Sequence, residues 1–351
     1  METQTQTRIV TETLPAVYVA GEHLPGHDER TLVPVQPLSA DEILAAFAAW
    51  MRLDVADGNP SPETIRVYLG DLRAHLAWLA DQGLQPAQAG EEDLKSYRAH
   101  LVEHYAISTV GRKLASIRRF YQMAQARDLI AGNPAEGLRA PRQRTERHER
   151  VKFLTQVALQ RLLAAPDLNT AKGIRDRAVM VLMIIHGLRV VEVHRADLED
   201  LDLEAGESGE LRVLGKGDKH RTVLLTDETR EEIRRWLAAR NLMATDSPAL
   251  FVTMHWSTAH AQPGGRVSRR GIRAMVDTYL ERTGAKKPGI SCHALRHSFA
   301  THSLANGAEL LAISGALGHA SITTTQVYAK IVDKARSNPA KFLTGLLDIG
   351  D

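Results

Sequence analysis

The stretch that decides the fold class is residues 210–225, ELRVLGKGDKHRTVLL. Its two arms, Glu210 to Leu214 and His220 to Leu225, each have the composition and alternation of a short β-strand. The run from Gly215 to Lys219 between them is rich in turn-forming residues, so the stretch predicts a β-hairpin. Most of the chain on either side follows the 3.6-residue period of helices. We therefore expect a mainly α fold with a small β-hairpin or sheet.

Upstream of the hairpin, helix start signals recur at regular intervals. Ser39 and Glu42 have the spacing of a capping box, and Ser61 followed by Pro62 supplies a hydroxyl cap with proline in the first turn. Two further helical patterns cover about 91–105 and 108–127, before Asn133-Pro134 ends the periodicity. This part of the chain is expected to be an all-helical domain.

Helical patterns also surround the hairpin on both sides. Thr155 is placed to cap a helix, and a buried helix is expected through Ala178 to Ile185. Additional helices are predicted to begin near four polar residues, Thr226, Ser268, His293 and Glu309, and the C-terminal tail is compatible with a helix. Together with the hairpin, these patterns indicate a second domain of mixed α/β type.

The length of 351 residues favours about two domains. Residues 1–38 show no helical period and are interpreted as a tail or arm, and residues 39–138 form the helical domain. Residues 139–152 are dense in arginine and are interpreted as a basic linker, either simply solvated or spanning DNA between two clamping domains. Residues 153–351 form the second domain with its helical tail.

The overall composition says more about the cellular compartment of the protein than about its function. The formal net charge of +2 is too small to establish nucleic-acid binding, which depends on where the cations lie. Cys292 is the sole cysteine, so an intrachain disulfide is excluded and a reducing cytoplasm is expected. The longest apolar run, from Ala178 to Ile185, is too short to cross a bilayer, and residues 1–7 lack the pattern of a secretory signal.

Several short motifs follow one another along the second domain. They are GLRVVE at 187–192, GKG at 215–217, HALRH at 293–297, LGH at 317–319 and TTTQVY at 323–328. In this order the chain resembles the tyrosine recombinases, or phage-type integrases, whose active site combines arginine, lysine, histidine-x-x-arginine, histidine or tryptophan, and tyrosine. The resemblance runs from Ser39 to the end of the chain and is strongest between Gly187 and Tyr328. It implies an all-helical core-binding domain followed by a mixed α/β catalytic domain.

The resemblance implies a role for each motif residue. Tyr328 would attack a DNA phosphodiester and form a 3′-phosphotyrosine, since a phenol is a competent nucleophile beside a base and a charge-stabilised phosphate. Arg189 and Arg296 would bind the nonbridging oxygens, for which the planar guanidinium offers paired donors. His319 would donate a hydrogen bond to the phosphate, and Glu192 would support the neighbouring cationic groups.

Proton transfer is assigned by the same resemblance to His293 and a lysine. His293 would exchange a proton with the nucleophile, and Lys216 in the hairpin turn would protonate the departing 5′ oxygen, with Lys219 as a nearby alternative. His293 and Arg296 at i and i+3 are expected to share a helix face from which His297 points away. The two histidines at i and i+4 also suit zinc, but Ala294 replaces the glutamate of a metalloprotease, so no metal and no cofactor are expected.

Candidate DNA contacts lie upstream of the catalytic motifs. Arg112, Lys113, Arg118 and Arg119 share one predicted helix, which either enters a major groove or is a solvated face. Arg142 and Arg144 in the basic linker complete this set.

Recombination of a double-stranded DNA site is the expected function, with integration and excision of a mobile element as the leading interpretation. Xer-type resolution of chromosome or plasmid dimers is the main alternative, and type IB topoisomerase-like relaxation or a non-catalytic DNA-binding module are further ones. The family resemblance implies a homotetramer on DNA, with a monomer or dimer off DNA and with accessory proteins as further partners. In that assembly the C-terminal helical tail would dock onto a neighbouring protomer.

Overall fold

A computed structural model gives the architecture of the chain. The residues it describes are 38–55, 60–142, 146–215, 220–243, 245–254, 264–319 and 321–336. Within these ranges, no helix combines the length and the apolar content that a bilayer crossing requires. Because the described ranges begin at residue 38, the predicted tail at 1–38 lies outside them apart from Leu38.

The chain divides into two compact units, Met1–Arg144 and Thr145–Asp351. This division falls inside the arginine-rich stretch 139–152, while the domain bounds drawn from the sequence stay predictions. The N-terminal unit contains the helices α1 (Ala40–Asp54), α2 (Pro62–Asp81), α3 (Glu91–His104) and α4 (Ile107–Ala126).

The N-terminal unit begins its helices where the sequence predicts. Ser39 caps α1 in a capping box, in which its hydroxyl accepts from the Glu42 amide at 3.3 Å and its own amide donates to the Glu42 carboxylate at 2.7 Å. Ser61 caps α2, and Pro62 occupies its first turn. These helices are confirmed because capping is a local interaction that the spacing of a few residues decides.

The core of the N-terminal unit is formed by the inward faces of its four described helices. Phe47, Leu72, Tyr97 and Ile117 are almost fully buried, and each lies on a different helix. Burial of a side chain of this size stabilises a fold by about 1.5–3 kcal/mol. The core therefore fixes how α4, which carries the candidate DNA contacts, lies against α2.

The C-terminal unit combines helices with one small sheet. Its elements are α5 (Arg147–Arg150), α6 (Gln156–Ala164), α7 (Ala171–Ile185), α8 (Val190–Arg195), β1 (Leu201–Asp202), β2 (Glu210–Leu214), β3 (His220–Leu224), α9 (Asp227–Asn241), α10 (Arg269–Arg282), α11 (Cys292–Ala305), α12 (Leu310–Leu317) and α13 (Gln326–Arg336). The mixed α/β architecture expected for this part is confirmed.

The sheet is antiparallel and has the order β1-β2-β3. The predicted hairpin is confirmed, with Glu210 opposite Leu224 and Leu214 opposite His220, while its turn at 216–219 lies outside the described residues. Leu211 and Val213 are buried and Arg212 between them is exposed, as the two-residue period requires. Strand β1 was not predicted, because two residues are too few to show a period.

Short elements account for most of the other differences from the sequence prediction. Helix α7 starts at Ala171 with Thr170 as its cap, so the buried run from Ala178 is its second half. Helix α8 was not predicted, and α5 forms one turn inside the stretch interpreted as a linker. Helices of four to six residues carry too little periodicity to be recognised in a sequence.

Candidate active site

A buried carboxylate lies at the centre of the candidate site. Glu192 on α8 has no exposed surface, and its Oε1 accepts a hydrogen bond from Arg189 Nη1 at 2.8 Å. Its Oε2 accepts from the Arg189 backbone amide at 2.7 Å, so the same carboxylate also caps the first turn of α8. The local sequence Arg-x-x-Glu thus fixes the position of the Arg189 side chain, which remains 28% exposed.

Arg221 on β3 is a second cation at this carboxylate, and sequence reasoning missed it. Its Nη1 and Nη2 donate to the two oxygens of Glu192 at 2.7 and 3.0 Å, and its Nε donates to the Ala316 carbonyl at 3.1 Å. Arg221 alternates with Val223 on the inward side of β3. An arginine on the buried side of a strand requires a carboxylate partner, and this alternation was the available signal.

The hydrogen bonds from Arg189 and Arg221 favour the ionised form of Glu192. Burial opposes the charged form, but the hydrogen bonds from Arg221 and the Arg189 backbone, with the charges of both arginines, hold the pKa of this carboxyl below its usual value. A negatively charged Glu192 can therefore orient the surrounding guanidinium groups.

Arg296 on α11 is buried and reaches the same cluster. Its Nη1 donates to the Gly187 carbonyl at 2.6 Å and lies 4.0 Å from Glu192 Oε2, while its Nη2 donates to the Leu317 carbonyl. Gly187 has φ +64°, and a Cβ there would meet Phe299 at 2.6 Å and Leu317 at 2.8 Å. Glycine is therefore required at the point where the chain bends to present its carbonyl to Arg296.

The guanidinium of Arg296 is buried beside two other arginines, and both conditions affect its pKa. Burial and the neighbouring charges of Arg189 and Arg221 lower its pKa to about 9, while Glu192 and Tyr328 act in the opposite direction. Arg296 still carries its charge at neutral pH. With two of its five N–H groups given to backbone carbonyls, at most three remain for a phosphate.

His319 follows the end of α12, which the two arginines hold. Arg221 binds the Ala316 carbonyl and Arg296 binds the Leu317 carbonyl, and Gly318 then turns the chain in the left-handed region at φ +59°. The His319 ring is half-buried, and its Nδ1 lies 2.8 Å from the hydroxyl of Thr325. Arg189, Arg296 and His319 therefore belong to one connected region, although they are far apart in sequence.

Tyr328 lies in the first turn of α13 and packs against α11. The residue is 3% exposed, and its hydroxyl lies 2.8 Å from Nδ1 of His297. The expectation that His297 points away from the site is wrong. Residues at i and i+4 are offset by only about 40° around a helix, so His297 flanks the face of His293, and α13 packs there.

His293 is exposed and lies among the arginines. Its neighbours remove part of the water around the ring, and this desolvation, followed by the charges of Arg273, Arg296 and Arg189, lowers its pKa. The neutral imidazole is thereby favoured near the arginines that are predicted to bind phosphate. The role of His293 as a proton-transfer partner of Tyr328 stays a prediction.

Three of the residues named as site candidates fall where nothing is described. Lys216, its alternative Lys219, and Arg144 lie outside the described residues. Arg142 is exposed. Among the described residues, no group of three or more His, Cys, Asp or Glu side chains is arranged to hold a metal ion.

Helix α4 presents only part of the predicted DNA-binding set to solvent. Arg118 and Arg119 are exposed, and Arg112 is exposed but paired with the buried Asp71. The structure contradicts Lys113 as an outward-facing contact, because its side chain is 10% exposed and its Nζ lies 3.5 Å from Asp71. Consecutive residues differ by 100° around a helix, so a cluster of cations in sequence spreads over both faces.

Comparison with known proteins gives a consistent assignment. The sequence profile of the Phage integrase family matches residues 152–335, and that of the phage integrase N-terminal SAM-like domain matches residues 55–128. The first match alone covers more than half of the chain and includes all the catalytic candidates.

Curated relatives match along most of their length. The tyrosine recombinase XerC of Pelobacter propionicus is 36% identical over 301 residues, which cover 85% of this chain and 92% of the relative. The tyrosine recombinase XerD of Ralstonia nicotianae is 33% identical over 302 residues, covering 84% and 91%.

A solved structure shares the fold. The XerH site-specific recombinase bound to palindromic difH substrate, in a post-cleavage complex, matches with a TM-score of 0.69 at 16% identity, covering 87% of this chain and 97% of that one. Since the family profile and the curated relatives both span the region built around Glu192, the chain belongs to the tyrosine recombinases of the phage integrase family, enzymes that cleave and rejoin DNA.

Proposed function

We propose that this chain is a site-specific DNA recombinase of the Xer type, which resolves chromosome or plasmid dimers. Curated relatives that match it over more than four fifths of its length include XerC and XerD recombinases. The integrase structures that share its fold, those of λ and of the Tn1549 transposon, match at 14% and 18% identity, which supports a common fold alone. Mobile-element integration, the leading interpretation from the sequence, is therefore the second candidate.

The observation that carries the reaction is the network around Glu192. Arg189, Arg221 and Arg296 meet at one buried carboxylate, and Tyr328 lies close enough to influence the pKa of Arg296. Convergent guanidinium groups suit the charge that accumulates on the nonbridging oxygens of a phosphodiester under attack. In this arrangement the phenol of Tyr328 is the nucleophile, and the guanidinium groups stabilise the charge that its attack produces.

In the proposed cleavage, Tyr328 Oη bonds to phosphorus and the bond from phosphorus to the 5′ oxygen breaks. Arg189, Arg296 and His319 stabilise the charged phosphoryl oxygens, and Lys216 protonates the 5′ oxygen as it leaves. The 3′-phosphotyrosine conserves the energy of the broken bond, so a partner strand's 5′ hydroxyl reverses the step without nucleotide hydrolysis. No metal or cofactor enters this scheme.

The proposed partner is a double-stranded DNA site. Arg118, Arg119 and Arg142, which are exposed, supply cations for its phosphates. We extend the proposal to a homotetramer on two duplexes, with the tail after Tyr328 docked onto a neighbouring protomer and accessory proteins regulating exchange. A cytoplasmic location follows from this partner.

A nicked suicide duplex tests the chemistry once a site has been recovered from the host's genomic DNA. The wild type is expected to form a covalent adduct that peptide mapping locates at Tyr328, and Tyr328→Phe is expected to form none. Tyr105→Phe, which changes an exposed tyrosine in the other unit, is the matched control and should retain the adduct. An adduct that survives Tyr328→Phe, or DNA binding without any nick in the presence of accessory proteins, would refute the assignment.

The mapped genomic position separates the two candidate roles. A fixed chromosomal site that is present when no mobile element is inserted supports dimer resolution, whereas sites at the ends of an element support integration. Exchange of markers between two such sites, in place of supercoil loss alone, distinguishes recombination from topoisomerase-like relaxation.

A further inference from the structure

His297 is in direct contact with the reacting oxygen of the proposed nucleophile. Its Nδ1 lies 2.8 Å from Tyr328 Oη, and the two ring centroids are 5.8 Å apart. This distance is within the range in which a general base takes a proton directly. The contact joins α11 to the first turn of α13, which pack against each other.

The two histidines of the HALRH motif have different surroundings. His293 is exposed and lies among Arg273, Arg296 and Arg189, the cations that act on its pKa. His297, one turn further along α11, is half-buried and faces the phenol. The first histidine is thus placed with the phosphate-binding groups and the second with the nucleophile.

We propose that His297 is a catalytic residue of the cleavage step, whose Nδ1 accepts the proton of Tyr328 Oη as that oxygen bonds to phosphorus. The proposal rests on the function proposed above. It replaces His293 with His297 as the proton acceptor of the nucleophile and leaves His293 beside the phosphate.

Each proton and each bond in this step has a defined donor and acceptor. The neutral imidazole of His297 carries its proton on Nε2 and receives the phenol proton on Nδ1, while the new bond from Oη to phosphorus forms. The 5′ oxygen leaves with the electron pair of its bond to phosphorus and takes a proton from Lys216. In rejoining, the 5′ hydroxyl gives its proton back to Lys216 as its oxygen bonds to phosphorus, the bond from Oη to phosphorus breaks, and His297 returns its proton to Oη.

A base is needed because an ordinary phenol has a pKa of about 10 and is almost entirely protonated at neutral pH. The same hydrogen bond has an opposite interpretation, a latch that holds the buried phenol back from the phosphate. The two interpretations predict opposite signs when the bond is removed: a lost base slows cleavage, and a lost latch accelerates it.

The first experiment measures single-turnover cleavage of the nicked duplex by the full-length protein carrying His297→Asn or His297→Ala. Cleavage is expected to slow by about 10²–10⁴-fold, the usual contribution of a general base, with unchanged affinity for the duplex. His302→Asn is the matched control, because His302 lies on the same helix and bonds the Leu154 carbonyl at 2.7 Å. Faster cleavage by the His297 variants, or an equal loss in His302→Asn, would overturn the proposal.

A second experiment separates the nucleophile side from the leaving-group side. A duplex with sulfur in place of the bridging 5′ oxygen needs no acid, so it should restore cleavage by Lys216→Ala and leave the His297→Asn defect in place. A fluorinated, more acidic tyrosine at position 328 should recover part of the rate of His297→Asn, because that phenol depends less on a base. Restoration of His297→Asn by the sulfur substrate, or no gain from the acidic phenol, would contradict the assignment.

These outcomes are distinct from failure of the proposed function. If the wild type forms no adduct at Tyr328, the recombinase reaction itself is refuted. If it forms the adduct and the His297 variants match its rate, the reaction stands and only the role of His297 is lost.

Discussion

Each unit of this protein contains a buried carboxylate surrounded by cations. In the N-terminal unit, Asp71 on α2 accepts from Arg112 and from the Ser116 hydroxyl at 2.9 Å, and lies 3.5 Å from Lys113. In the C-terminal unit, Glu192 binds Arg189 and Arg221 and lies 4.0 Å from Arg296. Both carboxylates are almost inaccessible to solvent.

The difference lies in how many elements each carboxylate joins. All the partners of Asp71 named above come from α4, so that cluster joins two helices. The partners of Glu192 come from the start of α8, from β3 and from α11, and two of them also hold the end of α12. Exposure does not distinguish the clusters, since the side chain of Arg112 is 42% exposed and that of Arg189 is 28% exposed. Convergence of several elements, with Tyr328 nearby, is what distinguishes the cluster that we propose to be catalytic.

Glu192→Gln tests this comparison with the largest expected effect. A neutral amide leaves the buried guanidinium of Arg296 and the partly buried ones of Arg189 and Arg221 without their counter-charge, so we expect a loss of about 3–5 kcal/mol in the free energy of unfolding. Cleavage of the nicked duplex should fall by about 10²-fold under conditions where the protein is folded, because Arg189 loses the group that orients it. Urea unfolding and single-turnover cleavage measure the two effects.

Glu231→Gln on the exposed side of α9 is the control for this change and should alter neither quantity. Unchanged cleavage in folded Glu192→Gln would show that the carboxylate has no part in the site.

Asp71→Asn is the corresponding change in the N-terminal unit. We expect a loss of about 3 kcal/mol in the free energy of unfolding, at the low end of the range for a broken buried pair because Arg112 reaches solvent. Cleavage of saturating DNA should remain at the wild-type rate, since the partners of Asp71 in the described part of the chain, Arg112, Lys113 and Ser116, include no proposed reacting group. Asp81→Asn on the same helix, at an exposed position, should change nothing. A cleavage defect as large as that of Glu192→Gln would remove the distinction between the two clusters.

Each unit also contains a buried histidine, which allows a second comparison between the units. Burial lowers the pKa of His75 to about 3 and that of His186 to about 4, from an ordinary 6.5. Below pH 6.5 the unfolded chain binds protons that the folded chain excludes, so stability is retained above that pH and falls toward the folded pKa values. The slope is about 1.4 kcal/mol per pH unit for each histidine.

His75→Phe should remove its share of this slope between about pH 5 and pH 6.5, and His186→Phe should do the same, as measured by urea unfolding at several pH values. An unchanged slope in His75→Phe would indicate that this imidazole is already protonated in the folded state.

The smallest expected effect concerns DNA affinity. Replacing both Arg118 and Arg119 by alanine should weaken binding and reduce the slope of log affinity against log salt by about 1 for each lost phosphate contact. Lys113→Met should leave the slope unchanged, because the Lys113 ammonium faces Asp71 and the Tyr105 ring. Fluorescence anisotropy across a salt series measures both. A reduced slope in Lys113→Met would mean that this lysine turns outward to DNA.

Local features of this protein follow from the sequence alone. The capping box at Ser39, the cap at Ser61 and the hairpin from Glu210 to Leu224 are confirmed because each depends on residues within a few positions of one another. The sequence motifs also singled out Arg189, Glu192 and Arg296, which the structure brings together, while their catalytic roles stay predictions.

Only the tertiary structure decided which partner each side chain meets. Lys113 belongs to a basic cluster in the sequence, yet the packing of α4 on α2 turns it toward Asp71. Arg221 contacts Glu192 because β3 lies beside α8, and His297 contacts Tyr328 because α13 packs on α11. Helix and strand periods fix the direction of a side chain relative to its own element, and the identity of its partner depends on elements far away in the chain.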